Sequence, residues 1–316
     1  MIDTWLTERF ALQIPVVSAP MAGPAGGRLA AAVSAAGGLG MVGLYSHSVE
    51  QARAEVEIVA ATTDTFGIGL VACRLDHHPD LVDLVTELRP RFVSVSFGDY
   101  AIHLPRLHDA DIVVATQVGT VEEAEAAAAA GIDLIVARGG EAGGHGRDRV
   151  ATLPLLEAVL DRVDVPVLAA GGIATSRGLA AVIAAGAAGA WIGTAFLGCP
   201  ETSWTATKRA RVIDAGLGDT VYTEAFDTAL GHVWPTGIGG RALRNKFSDR
   251  WQERVEELAG DTAVRERQHL LDAARREDFD EFVIYAGQAA GLVHEERTVA
   301  AVVAELACAE ALLRNW

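Results

Sequence analysis

The feature that most restricts the fold is a repeating alternation. Short apolar runs, rich in β-branched residues, stand at 16–20, 40–44, 66–71, 92–97, 112–117, 134–138, 167–170 and 190–195. Each is almost unbroken by polar residues, so both faces of each strand must be buried, as in a parallel sheet covered by helices. Ala-rich segments with helical spacing fall between them at 27–36, 49–61, 80–88, 121–130, 153–162 and 176–185. Gly37, Gly131 and Gly186 follow three of these helices, where a left-handed C-cap ends a helix. Eight such strands in about 200 residues predict an α/β chain closed into a (β/α)8 TIM barrel rather than an open doubly wound sheet.

The alternation stops near residue 205. Between 249 and 281 about half of the residues are charged, at helical spacing, which predicts an additional mainly helical lobe after strand eight. The expected organisation is a barrel over 1–220, a helical lobe or lid over 221–285, and 286–316 packing back on the barrel through an amphipathic helix at 298–313. With 26 basic against 42 acidic residues the net charge is −16, which repels nucleic acid and anionic membranes. The stretch 178–200 carries no charge over 23 residues, long enough to span a bilayer. It is mostly Ala and Gly, and Gly186, Gly189 and Gly193 divide it into a helix and a strand, so no membrane partner is expected. Cys73, Cys199 and Cys308 are odd in number and scattered, and MIDTWLTERF lacks the basic start and apolar run of an export signal. A cytoplasmic protein is expected. Asp76-His77-His78-Pro79-Asp80 reads as a solvated loop, because adjacent His side chains seldom converge on one ion, and no metal is expected.

In a barrel of this kind the chemistry lies at the C-terminal ends of the strands. Gly171, Gly172 and Ile173 follow strand seven, and Gly193 and Thr194 end strand eight. Glycines there expose backbone N–H groups, and these two strands are where barrels build phosphate sites. After strand six, Arg138 is followed by a loop in which Gly139, Gly140, Gly143, Gly144 and Gly146 surround Glu141 and His145. Its backbone can approach a flat ligand closely, and imidazole is the side chain suited to proton transfer near neutral pH, which makes His145 the general-base candidate. Glu141 reads as a loop brace or an orienting group. His47 and His103 are weighed as ordinary loop residues, and Trp234, Tyr285 and Trp251 as lobe core, although an aromatic beside Gly287 and Gln288 is placed to wall a ring.

These residues carry a resemblance that runs almost end to end. Ala19-Pro20-Met21-Ala22-Gly23, Ser96-Phe97-Gly98, Glu141-Ala142-Gly143-Gly144-His145, Gly171-Gly172-Ile173 and Gly193-Thr194-Ala195 resemble motifs of the FMN-dependent nitronate monooxygenases, the 2-nitropropane dioxygenase family. Gly240-Arg241-Ala242-Leu243-Arg244-Asn245 and Tyr285-Ala286-Gly287-Gln288 are similar to that family's C-terminal motifs. The resemblance implies FMN held by Pro20, Met21, Ala22, Gln117, Arg138, Gly143, Gly144, Gly171, Gly172, Ile173, Gly193, Thr194 and Gln288, with His145 catalytic. It implies oxidation of an alkyl nitronate or nitroalkane by O2 to a carbonyl compound and nitrite, with His145 taking the α-proton of a neutral nitroalkane; a homo-oligomer is left open. Many members carry Gln where Arg138 stands and Asn where Gly69 stands, and both positions are expected to face the flavin. The alternatives are an FMN- and NAD(P)H-dependent enoyl-acyl-carrier-protein reductase, a flavin-binding protein without turnover, and a phosphosugar-binding barrel.

Overall fold

The structure, a computed structural model, describes residues 2–45, 47–75 and 77–314. Its strands are β1 (Val16–Ser18), β2 (Met41–Leu44), β3 (Gly67–Val71), β4 (Phe92–Ser96), β5 (Val113–Val118), β6 (Leu134–Arg138), β7 (Gly144–Gly146), β8 (Val167–Ala170), β9 (Gly189–Ile192), β10 (Thr220–Thr223) and β11 (Gly239–Leu243). Eight of them pair in parallel in the order β1-β9-β8-β6-β5-β4-β3-β2. The ring closes between β1 and the entry to β2, where the Ser18 N–H donates to the Leu39 carbonyl at 3.0 Å and the Leu39 N–H to that of Val16 at 2.9 Å. The molecule is a TIM barrel.

Buried strands lose their polar alternation because both of their faces meet apolar groups. Along β6, Leu134 and Val136 point into the barrel with Met41, Phe92, Leu168 and Trp191, whereas Ile135 and Ala137 pack outward under the helices. Each fully buried aliphatic or aromatic side chain of this kind stabilises the fold by roughly 1.5–3 kcal/mol. The N-terminal helix Trp5–Phe10 plugs the end away from the active mouth, with Leu6 and Phe10 in the interior cluster and the Phe10 ring edge-on to Phe92 at 5.7 Å. The expected glycine stops are present: Gly37, Gly131 and Gly186 have φ of +94°, +91° and +104°.

Two details differ from expectation. The strand expected over 190–195 ends at Ile192, because Gly193 turns the chain into the short helix Thr194–Leu197, where the Phe196 N–H donates to the Gly193 carbonyl. The lobe also contains a sheet. Strands β10 and β11 pair antiparallel, and β7, from the loop after β6, adds to β11 as the third strand. Around it lie the helices Ala225–Leu230, Lys246–Trp251 and Gly260–Arg275, packed on Phe226, Phe247, Trp251 and Leu270. The chain then returns through Val299–Ala307 and Ala309–Arg314, pinned where Glu305 accepts from the Ser176 N–H and hydroxyl at 3.0 and 2.9 Å. No helix of the described residues is long and apolar enough to cross a membrane.

Candidate active site

A cavity of about 380 Å³ opens at the C-terminal ends of the barrel strands, within the range of small-molecule sites. Pro20, Met21 and Ala22 beyond β1, Gln117 in β5, Arg138 at the end of β6, and Gly143, Gly144 and His145 all line it. So do Gly171, Gly172 and Ile173 beyond β8, and Gly193 and Thr194 beyond β9. Gln288 does not line it; its backbone N–H donates to the Glu141 carbonyl at 2.9 Å, so this residue braces the loop from behind. His47 and His103 are likewise outside the lining. Asp76 lies outside the described residues, and among the described residues no cluster of His, Cys, Asp or Glu is arranged to hold a metal.

The glycines of the β8 loop have the backbone an anion cradle needs. Gly171 and Gly172 have φ of +120° and +69°, a region that L side chains rarely enter. A Cβ on Gly171 would meet the Thr152 hydroxyl at 2.5 Å, whereas one on Gly172 would enter open space, its nearest neighbour being the Glu141 side chain at 3.7 Å. Among the described residues the backbone N–H groups of Gly172, Ile173, Gly193 and Thr194 donate to nothing. Four unengaged donors on two adjacent strand ends form a donor set that fits a phosphate.

The glycine loop after β6 is held by three charged side chains. The Arg138 guanidinium is buried and donates to the carbonyls of Ala142, Gly143, Gly144 and Arg147 at 2.8–3.2 Å. Burial pushes it down to about 10, so it stays cationic at neutral pH. Arg138 forms part of the cavity wall, and all of its hydrogen bonds go to the loop that it holds. Arg241 clamps the same loop through the Gly140 carbonyl at 2.6 Å and Asp148 at 2.5 Å. Glu141 accepts from the Thr152 N–H at 2.7 Å and from the Thr152 hydroxyl, and so acts as a brace at the start of the helix Thr152–Leu160. Gly69, unlike Arg138, does not line the cavity. It lies under Pro20, and any side chain there would overlap the Pro20 ring, so glycine leaves room for a residue that does line the site.

His145 sits on β7 opposite Gly240 of β11. A Cβ on Gly240 would lie 2.6 Å from the Tyr285 ring and 3.4 Å from the His145 Nε2, so glycine makes space for both. The His145 Nε2 is 2.9 and 3.1 Å from the Asp227 carboxylate oxygens. The same carboxylate accepts from the Trp234 Nε1–H and the Tyr285 hydroxyl, both at 3.1 Å, and the His232 ring lies 3.6 Å away. Burial alone would raise the Asp227 carboxyl; the hydrogen bonds from His145, His232 and Tyr285 outweigh it and hold the group well below the usual carboxylate range. Burial and the Asp227 charge push the Tyr285 phenol well up, so it remains a donor.

An ionised carboxylate can only accept, so Nε2 of His145 carries a hydrogen, and in the neutral ring the lone pair lies on Nδ1. Nδ1 makes no hydrogen bond among the described residues. The Trp234 ring stacks on the imidazole with centroids 3.7 Å apart and planes at 15°, and Tyr45 stacks on that indole with centroids 5.9 Å apart. Sequence reasoning weighed Trp234 and Tyr285 as lobe core, with an aromatic beside Gly287 and Gln288 as a ring wall, and both line the cavity; it missed Asp227, which lies 82 positions from His145. It also missed Lys208, which lines the cavity from the helix Ala206–Ile213.

With its polar groups gathered at the C-terminal mouth of the strands, the molecule is by class a TIM-barrel enzyme. A family model described as nitronate monooxygenase matches residues 3–81 and 74–309. The chain belongs to the nitronate monooxygenase family and is an oxidoreductase. The nitronate monooxygenase of Pseudomonas aeruginosa is 32% identical, over 92% of this chain and 95% of that one. A (3aS,4S,5R,7aS)-5-hydroxy-7a-methyl-1-oxo-octahydro-1H-indene-4-carboxyl-CoA dehydrogenase of Mycobacterium tuberculosis is 37% identical, over 79% of this chain and 68% of that one. Among solved structures, FabK from Thermotoga maritima superposes with a TM-score of 0.86 at 28% identity, covering 100% of this chain and 98% of that one.

Proposed function

We propose that the protein is an FMN-dependent enzyme that oxidises alkyl nitronates, and nitroalkanes after deprotonation, with O2 to a carbonyl compound and nitrite. The observation that carries this reading is the His145–Asp227 pair, 2.9 Å apart, in the same cavity as the four unengaged backbone donors. Gly172, Ile173, Gly193 and Thr194 would hold the phosphate of the cofactor through their N–H groups, and Gly143 and Gly144 let the loop approach its ring. When bound, the flavin supplies an acceptor for the substrate's electrons and reactivity towards oxygen. His145 takes the α-proton of a neutral nitroalkane at Nδ1, while Asp227 fixes the tautomer and stabilises the imidazolium that results. Tyr45, Trp234 and Tyr285 exclude water from that proton transfer.

The likeness to FabK supports a second reading, reduction by NAD(P)H of an enoyl thioester. Anaerobic mixing separates the two. The nitronate of nitroethane is expected to bleach the flavin absorbance within seconds, with NADH and NADPH slower by orders of magnitude. Fast bleaching by a nicotinamide and none by the nitronate overturns the first reading.

Asp227→Asn tests the pair. An amide can donate to Nε2, which moves the imidazole hydrogen to Nδ1 and removes the base. The rate with neutral nitroethane is expected to fall about 10²–10⁴-fold, with a far smaller loss on its preformed nitronate and an altered pH profile for the neutral substrate. An equal loss on both would mean that Asp227 only supports the fold.

A further inference from the structure

Lys208 is the charged group of the cavity that lacks a counterpart. Its ammonium lies 4.5 Å from the Trp204 ring centroid, 5.5 Å from Phe279 and 5.8 Å from Phe282, so three aromatic faces hold it in place. Among the described residues its Nζ makes no hydrogen bond and no ion pair; only its backbone N–H is engaged, by Thr205. The other charged side chains of the lining are occupied. Arg138 has four carbonyls, Glu141 has Thr152, and His145 has Asp227, towards which His232 also turns. Burial lowers the Lys208 ammonium to about 8, and the more distant Glu277 charge offsets this only in part. A partly buried, unpaired ammonium costs free energy in the empty site and returns it when an anion enters.

We propose that Lys208 receives an acidic group, a carboxylate or phosphate, on the tail of the substrate. The inference rests on the reading of the cavity as a nitronate-oxidising site. An elongated substrate then lies with its nitro-bearing carbon towards His145 and its acid between the Trp204 and Phe282 rings. The surrounding aromatic rings desolvate the pair and so strengthen it.

The test uses two nitronates of matched length, those of 4-nitrobutanoate and 1-nitropentane, on the holoenzyme and its Lys208→Met variant. Methionine keeps the apolar stem between the rings and removes the charge. The KM for the acid nitronate is expected to rise about tenfold to a hundredfold more than that for the pentyl nitronate, with kcat little changed and Lys208→Arg restoring most of the affinity. Equal effects on the two nitronates overturn the proposal. Loss of flavin from the Lys208→Met protein also overturns it, because the anion served would then be the phosphate of the cofactor. Calorimetric titration with glutarate, which has no nitro group, separates this idea from the reaction itself. If glutarate binds through Lys208 while neither nitronate is oxidised, the acid site stands and the nitronate reading falls. If the nitronates are oxidised without discrimination and glutarate does not bind, the acid site falls alone.

Discussion

His145→Ala is expected to keep its flavin and to lose about 10²–10⁴-fold of its rate with neutral nitroalkanes, while the preformed nitronates are oxidised at a rate reduced far less. The difference arises because a nitronate has already lost the α-proton that the imidazole would remove. The fold is expected to survive the change. Asp227 would keep the Trp234 and Tyr285 donors, both at 3.1 Å, so its buried charge is not orphaned. The truncated side chain lies on the cavity wall, where water can fill the gap. Steady-state rates with nitroethane and its nitronate, set beside flavin content by absorbance, check the result. Flavin loss would make His145 a cofactor anchor, and parallel loss on both substrates would remove its role as a base.

Gly172→Asp is expected to abolish tight flavin binding. At φ of +69° the substitution costs about 1–2 kcal/mol in backbone strain, as for any L side chain in the left-handed region. Its Cβ has room, so the carboxylate projects into the space where the phosphate would lie, beside Glu141. Two like charges about 4 Å apart repel by about 4 kcal/mol at an effective dielectric of about 20. Together these terms predict a loss of affinity of at least about a thousandfold. Gly172→Ala separates them, because it adds the strain without the charge and should cost about tenfold. Fluorescence of flavin released on dialysis measures both variants, and unchanged retention in Gly172→Asp would remove the phosphate from the β8 loop.

The barrel was legible because each of its eight strands is buried on both faces, which leaves an unbroken apolar run in the sequence. The glycines at 143, 144, 171, 172 and 193 stand out in the sequence and all line the cavity, although at 143 and 171 a side chain is excluded by the chain's own packing against Gly287 and Thr152. What stayed hidden is what depends on direction or on distant partners. A charge at position 138 is plain in the sequence, but not that four loop carbonyls engage it. Gly69 looked like a missing amide and proved to be clearance for Pro20. Asp227, Trp234 and Lys208 reach the site from segments with no repeating pattern, and TVYT and GGRAL are too short to announce a sheet.

The third strand of the lobe sheet bears on inheritance. Because β7 is drawn from the barrel and zipped to β11, the lobe is no hinged cover; to swing away it would have to strip His145 out of its ladder. The partners of the imidazole, Asp227, Trp234 and Tyr285, all belong to that same appended segment. A chimaera that exchanges residues 220–285 between relatives would therefore transplant the setting of the His145 imidazole along with the roof above it. Divergence of reaction type on this barrel can proceed through the lobe alone, with the glycine turns beyond β8 and β9 left untouched.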